Sequence, residues 1–431
     1  MDKLMTFFET KMAPIAIKLD QNRYLSAVKN GFMAAMPLLI IGSVFLLFAY
    51  LPITGYDTFM AGIFGENWIT VFTSPNDISL SLRSLYVIVA MADDLAGHYK
   101  MNRMSGIFAA LAGFLTLTPF KAFADESGNG IPASNLGAEG LFVAMITAIL
   151  AIEIVRFVET KGWVIKMPET VPLNVSKSFS SLIPIFIVVL IFLVTRLLFE
   201  MTPFGSVQAF IFGSLQSPLT LLGGTLPAMI LVLLIESLLW MFGIHGANIV
   251  GSVMQPIWLS QTAENATAFA AGEVLPNIVN YQFYSNFVKI GGSGATWGLL
   301  ICLLLFAKSS QFKAVGKLSA IPGIFTINET ITFGIPIVLN PIMFIPFVLA
   351  PIVICIMTYV AMTTGLVPYP NGVNIPWTTP PIISGFLVSG WQGALCQIVG
   401  TVISFVIYFP FFKVADKMAY EAEQSQELVT E

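Results

Sequence analysis

Charge is what this sequence has least of. Asp, Glu, Lys and Arg make up 10% of its 431 residues, against about 25% in a typical soluble chain. So few charges cannot coat two or three globular domains, which excludes the soluble multidomain protein that the length alone would suggest. Cysteine and histidine are scarce as well, at three and two residues. Cys302, Cys355 and Cys396 stand far apart inside apolar runs with no CxxC pair, so no Cys/His metal centre and no cofactor is expected. A net charge of −4, with no long basic run outside the N-terminal stretch, leaves no electrostatic footprint for nucleic acid. No short apolar core with a small-residue cleavage site opens the chain. The stretch 1–27 instead sets Lys3, Lys11, Lys18 and Arg23 among apolar residues, the pattern of an interfacial amphipathic helix on the cytoplasmic side.

What is abundant is apolar surface, 56% of residues, with a mean hydropathy of +0.83. This is the composition of an integral membrane protein. A spanning helix needs roughly 20 mostly apolar residues, and runs of that kind cover 28–50, 81–97, 104–123, 139–158, 180–201, 224–244, 290–307, 341–362 and 394–413. The run at 81–97 is the weakest, because it holds Arg83, Asp93 and Asp94. A tenth span is expected in the broken region between 362 and 393. Sixteen of the 20 Lys and Arg residues fall in five clusters between or beside the runs. The positive-inside tendency then predicts a multi-pass protein of the cell membrane with both termini cytoplasmic.

The two halves differ in texture. Residues 1–200 hold 9 of the 25 prolines and read as regular helices, while the second half is interrupted by Gly and Pro. Irregular backbone at membrane depth survives only where protein buries it or a cavity solvates it, and transporters use such breaks to present groups to substrate. The expected organisation is a scaffold domain over 1–158, a polar linker over 159–179, a fifth span over 180–201, a transport domain over 202–418 and a disordered acidic tail over 419–431.

Charged or polar groups inside such runs require a reason, since a charge at membrane depth costs at least about 2.5–3.5 kcal/mol. Glu329 lies in Ile324-Phe325-Thr326-Ile327-Asn328-Glu329-Thr330, with Lys317 the nearest basic residue along the chain. It is either a carboxylate that fixes a hairpin turn or a contact for substrate or proton. His245 stands between glycines in Gly243-Ile244-His245-Gly246, where small neighbours admit a ligand and an imidazole offers one donor and one acceptor. A structural histidine is the other reading. Glu236, earlier in the same apolar run, is a second polar contact or a helix-packing group. Trp240 and Trp377 are aromatic walls for an apolar sugar face, or members of an interfacial belt. The segment Asn277-Ile278-Val279-Asn280-Tyr281-Gln282-Phe283-Tyr284 is a polar lining or a plain loop. His98 sits in an expected cytoplasmic loop and has no site role. Gly291-Gly292-Ser293-Gly294 lacks the strand and Lys of a phosphate loop and serves a tight turn. Asn265-Ala266-Thr267 matches a glycosylation sequon, a weak pattern.

Taken in order, Lys29-Asn30-Gly31-Phe32, Ile165-Lys166-Met167-Pro168, Phe242-Gly243-Ile244-His245-Gly246, Gly291-Gly292-Ser293-Gly294-Ala295-Thr296, Phe325-Thr326-Ile327-Asn328-Glu329 and Pro376-Trp377-Thr378 form a set. The set resembles the membrane (IIC) component of the bacterial phosphoenolpyruvate-dependent sugar phosphotransferase system, in its lactose/cellobiose/diacetylchitobiose branch. The resemblance implies an all-α polytopic membrane protein with about ten transmembrane helices, two re-entrant hairpins and interfacial amphipathic helices, assembled as a homodimer. It implies a permease for a β-linked disaccharide, cellobiose or diacetylchitobiose first, moved by an elevator-like step and phosphorylated at its 6-hydroxyl. The phosphoryl group would come from a separate cytoplasmic IIB protein, with IIA upstream, because no phosphoryl-carrying residue is expected in this chain. Glu329 and His245 would flank the 6-hydroxyl and Trp377 would stack on the sugar. Trp240, Asn328, Thr326, Asn280, Gln282 and Glu236 complete the expected binding set. The chain has Thr379 where close chitobiose-type relatives carry Met, which leaves the disaccharide open. A proton-coupled sugar symporter is the alternative, with Glu329 and His245 carrying the proton; a lipid-directed intramembrane enzyme lacks a nucleophile–base pair or metal cluster.

Overall fold

A computed structural model describes residues 18, 21–50, 55–122, 128–137, 139–168, 170–242, 245–335, 337 and 340–430. Apolar runs in a membrane fold as helices because a helix satisfies its own N–H and C=O groups. The described residues follow this rule. The nine runs carry the helices Arg23–Ala49, Arg83–His98, Arg103–Leu117, Leu141–Thr160, Leu182–Glu200, Leu226–Met241, Trp297–Phe306, Pro341–Thr363 and Ile383–Thr430. Among the described residues, five helices are long and apolar enough to cross a membrane. The number is six if the pair Val207–Gly223 and Leu226–Met241, bent by 75°, is one span. One antiparallel pair of two-residue strands, Lys121–Ala122 with Asn129–Gly130, departs from the all-α expectation. The interfacial helix expected over 1–27 lies largely outside the described residues.

Two compact units are present, one over Gln21–Leu221 and one running from Leu222 to the C-terminal end. The first packs its helices through alanines: Ala92, Ala96, Ala109, Ala110, Ala144, Ala148 and Ala151 are all fully buried, and small residues let membrane helices approach closely. Two of the charges that weaken the 81–97 run, Asp93 and Asp94, have polar partners. Asp93 accepts from Arg103 at 2.8 Å, and Asp94 accepts from Asn30 at 2.9 Å. The buried Gln208 amide donates to Thr118 at 3.0 Å. Residues 202–221 pack with the first unit, whereas the sequence texture predicts a boundary at 202.

The second unit is where helices break. Its π-helical turn Phe283–Val288 leads into the Gly291–Gly294 run, and the helix Ser310–Ile324 ends in a turn through Thr326 before the short helix Glu329–Gly334. The helix Ile383–Thr430 contains a break at Ser389 and Gly390, where the backbone leaves helical geometry. Gln397 holds the segment before the break: its Oε1 accepts from the N–H groups of Ile382 and Gly385, and its Nε2 donates to Ser384 Oγ and the Asn286 carbonyl.

The expected disordered tail is helix instead, continuous through Thr430. Two acids of this last helix, Asp416 just before the expected tail and Glu423 within it, hold another helix start. Asp416 accepts from the N–H groups of Lys308 and Ser309 and from Ser309 Oγ, all at 2.8–3.0 Å. Two turns further on, Glu423 accepts from the N–H groups of Ser310 and Gln311 at 2.9 Å each. The last helix therefore caps the start of Ser310–Ile324, whose first N–H groups have no partner within the helix. Asp416→Ala is expected to lower stability by about 2–4 kcal/mol, from three charge-assisted bonds, one to the buried Ser309 hydroxyl. Glu423→Ala at the exposed end costs less. Size-exclusion profiles after stepwise heating in detergent measure both, and an unchanged midpoint for Asp416→Ala would remove the capping role.

Candidate functional site

The second unit brings most of the expected residues together. His245 is the N-cap of the helix Gly246–Ala270, and its Nδ1 accepts from the Asn248 N–H at 3.3 Å. An Nδ1 that accepts leaves the ring proton on Nε2. That Nε2 faces Glu329 Oε1 at 3.7 Å, with both side chains partly open (41% and 46% exposed). The gap is too long for a direct hydrogen bond. The other carboxylate oxygen, Glu329 Oε2, is buried without a hydrogen-bond partner among the described residues, an arrangement that costs free energy unless a further donor arrives.

Gly246 makes this placement possible. A Cβ there would stand 2.2 Å from the Glu236 carbonyl oxygen, so only glycine lets the two helices meet directly beside His245. Trp240, one turn after Glu236, lies with its ring centroid 4.5 Å from that of His245 and 6.0 Å from that of Phe333. It is 1% exposed and has no free face for a sugar ring. Of the two tryptophans expected as walls for a sugar face, Trp240 instead backs the imidazole, and one open indole is left.

That open indole is Trp377, 42% exposed. Its carbonyl accepts from Thr326 Oγ1 at 2.8 Å, which ties the Pro-Trp-Thr segment to the turn before Glu329. Thr326 adopts a left-handed backbone, φ 60°, unusual for a threonine and sustained here by that bond. Asn328 donates to the Ser293 carbonyl at 2.7 Å and to Thr296 Oγ1 at 3.0 Å. Gly292, at φ +94°, packs so tightly on Asn328 that a Cβ would lie 2.5 Å from its amide. The glycine run thus cradles a side chain, in keeping with its expected turning role.

Gln282 and Asn280 sit behind this surface. Both are fully buried. Gln282 donates to Asn374 Oδ1 at 2.8 Å and accepts from Asn286 at 2.6 Å, bracing the segment that carries Trp377. Asn280 Oδ1 accepts from the Phe283 N–H, and its Nδ2 is unpartnered among the described residues. Glu236 is 3% exposed and committed within the protein. Its carboxylate binds Lys289 Nζ at 2.9 Å, Ser293 Oγ at 2.7 Å and the Tyr284 hydroxyl at 2.5 Å. Sequence reading missed Lys289, although a single Lys after the Lys/Arg-free stretch 197–288 was a signal that some buried acid required it. Asn265 of the sequon is fully buried, donating to the carbonyls of Asn277 and Pro370, which corrects the glycosylation pattern to a structural amide. Among the described residues no group of His, Cys, Asp and Glu could hold a metal ion.

Known proteins carry the same arrangement of sequence. The profile of the family described as "Phosphotransferase system, EIIC" matches residues 29–351. The "Lichenan permease IIC component" of Bacillus subtilis (strain 168) is 43% identical over 100% of this chain and 97% of its own length. The "PTS system cellobiose-specific EIIC component" of Geobacillus stearothermophilus is also 43% identical, over 100% and 98%. Among solved structures, the transporter ChbC, the IIC component from the N,N'-diacetylchitobiose-specific phosphotransferase system, superposes with a TM-score of 0.93 at 44% identity, covering 97% of this chain and 99% of that one.

The glycine at the His245 junction gives a direct check. Gly246→Ala must move one helix off the other, at a cost of about 1–3 kcal/mol or more. Gly251→Ala in the same helix, where nothing lies within 4 Å of the added carbon, should be neutral or slightly stabilising. Equal thermal midpoints for the two variants in detergent would contradict the close approach.

Proposed function

The chain belongs to the phosphotransferase system EIIC family, and from that premise we propose that it is the permease subunit for a β-linked disaccharide of the cellobiose or diacetylchitobiose type. The carrying observation is the 3.7 Å opening between His245 Nε2 and Glu329 Oε1. A sugar hydroxyl oxygen seated astride the pair, about 2.8 Å from each atom, accepts from the Nε2 proton and donates to the carboxylate. The Asn248 N–H on Nδ1 keeps the ring in the tautomer this requires. Glu329 then draws the proton from the 6-hydroxyl as that oxygen attacks phosphorus, a general-base step that needs hydrogen-bond reach in the bound pose. Trp377 offers its open indole to a sugar face.

The phosphoryl donor in this reading is a separate cytoplasmic IIB protein charged by IIA. Cys302, Cys355 and Cys396 are buried and out of reach of a soluble donor. The sugar enters from outside, the second unit carries it across in an elevator-like movement, and the added phosphate traps it inside by charge. About ten spans, two re-entrant hairpins, cytoplasmic termini and a homodimer formed through the first-half scaffold complete the proposal. The breaks at 289–296, 325–328 and 364–390 supply the irregular backbone that such hairpins use.

Binding of cellobiose, diacetylchitobiose, lactose and maltose to the purified protein tests the substrate class. Tight maltose binding without any β-linked sugar overturns it. Glu329→Gln keeps shape but removes the base. Its affinity loss is bounded at roughly tenfold to hundredfold for one charged hydrogen bond, while uptake coupled to phosphorylation is expected to collapse. Uptake in vesicles driven by a proton gradient, with no phosphoryl donor, would favour the symporter over this reading.

A further inference from the structure

The charge cluster behind the site has no part in the chemistry above, yet it is linked to the segments that carry His245 and Asn328. Glu236 lies one turn before Trp240, the wall of His245, and its carbonyl is the surface on which Gly246 packs. Its carboxylate receives Ser293 Oγ at 2.7 Å, and the Ser293 carbonyl receives Asn328 Nδ2 at 2.7 Å, the residue next to Glu329. Lys289 closes the cluster. Its Nζ stands 2.9 Å from Glu236 Oε1, 3.2 Å from the Tyr284 hydroxyl and 4.8 Å from the centre of that ring. Tyr284 in turn stacks on Trp258 at 4.4 Å, in the helix that His245 caps.

Desolvating two charges is costly, and a buried pair commonly holds a fold together no better than apolar side chains of the same volume. Stability alone is therefore a weak reason for this pair. Its directed contacts do what packing cannot, because they tie the helix that leads to His245 to the glycine run, whose Ser293 carbonyl in turn holds Asn328 beside Glu329.

We infer that Glu236 and Lys289 are positioning residues for phosphoryl transfer, setting the separation of His245 and Glu329 through Ser293 and Asn328. This rests on the proposed function of that pair. Because the cluster reaches His245 and Glu329 only through their neighbours Gly246 and Asn328, its loss should damage alignment at the reacting oxygen more than the grip on the sugar rings. Misplacement of about 1 Å can cost around a hundredfold in rate.

The test uses the full chain in detergent, with Glu236→Gln/Lys289→Gln as the principal variant, since it leaves no uncompensated charge. Glu236→Asp and Lys289→Arg, which retain the ion pair, accompany it. Sugar affinity is measured with cellobiose and diacetylchitobiose, and transfer with phosphorylated IIB, both per folded molecule by size-exclusion profile. The expected result is a rate at saturating sugar reduced roughly tenfold to a hundredfold, with affinity changed less than about threefold and partial recovery in the charge-retaining variants. A rate within about twofold of the parent chain makes the pair a brace only and overturns the inference. So does a loss shared equally by affinity and rate, which would make the cluster a ligand contact. Glu329→Gln and His245→Ala are measured alongside. If they leave transfer intact, the site reading fails and takes this inference with it; if they abolish transfer and the paired variant does not, the inference alone fails.

Discussion

Backbone that leaves the helix inside a membrane protein must find its hydrogen bonds within the protein, because lipid offers none, and each unpartnered group there costs several kcal/mol. The second unit depends on meeting this demand with side-chain amides. Asn265 serves the carbonyls of Asn277 and Pro370 and accepts from the Asn277 N–H. Asn371 donates to the Leu387 carbonyl and accepts from the Val373 N–H. Gln397 makes three such bonds and a fourth to the Ser384 hydroxyl. An amide carries both donors and acceptors without charge, so it satisfies loose backbone at less desolvation cost than an acid or a base. That is why a chain so poor in charge still buries Asn265, Asn280, Gln282 and Gln397 completely.

The same demand explains where the site forms. Helix ends expose unpaired N–H and C=O groups, and chains that end helices at membrane depth bring several such ends together. His245 caps one helix, and the Thr326–Asn328 turn links two others. The Trp377 segment is held to that turn by the Thr326 hydroxyl. Polar groups present for the sake of backbone satisfaction become, with small shifts in spacing, groups able to bind hydroxyls.

Much of this was legible in the residues. Apolar runs located the helices because period and length decide a membrane helix almost alone. Glu329 and His245 stood out because each is an isolated polar group in apolar sequence, and their wide separation along the chain did not hide that their motifs recur in a known order. What escaped was pairing across distance. Lys289 and Glu236 lie on separate elements far apart in the chain, and no local pattern joins them. The acidic tail escapes sequence reading for a related reason: composition measures local solubility, whereas Glu423 is held by a helix terminus from a distant part of the sequence. Trp240 and Trp377 looked equivalent as sequence. Only packing separates an indole with 1% exposure from one with 42%.

The two readings of His245, structural histidine and ligand group, are compatible in one side chain. Its Nδ1 caps the Gly246–Ala270 helix, a bond worth about 0.5–2 kcal/mol to a helix. That bond also dictates which nitrogen holds the proton, so the structural role selects the state in which Nε2 donates toward Glu329. One bond to the backbone thus orients the ring and fixes its donor, so that in the proposed reading the cap and the hydroxyl contact are two ends of the same imidazole.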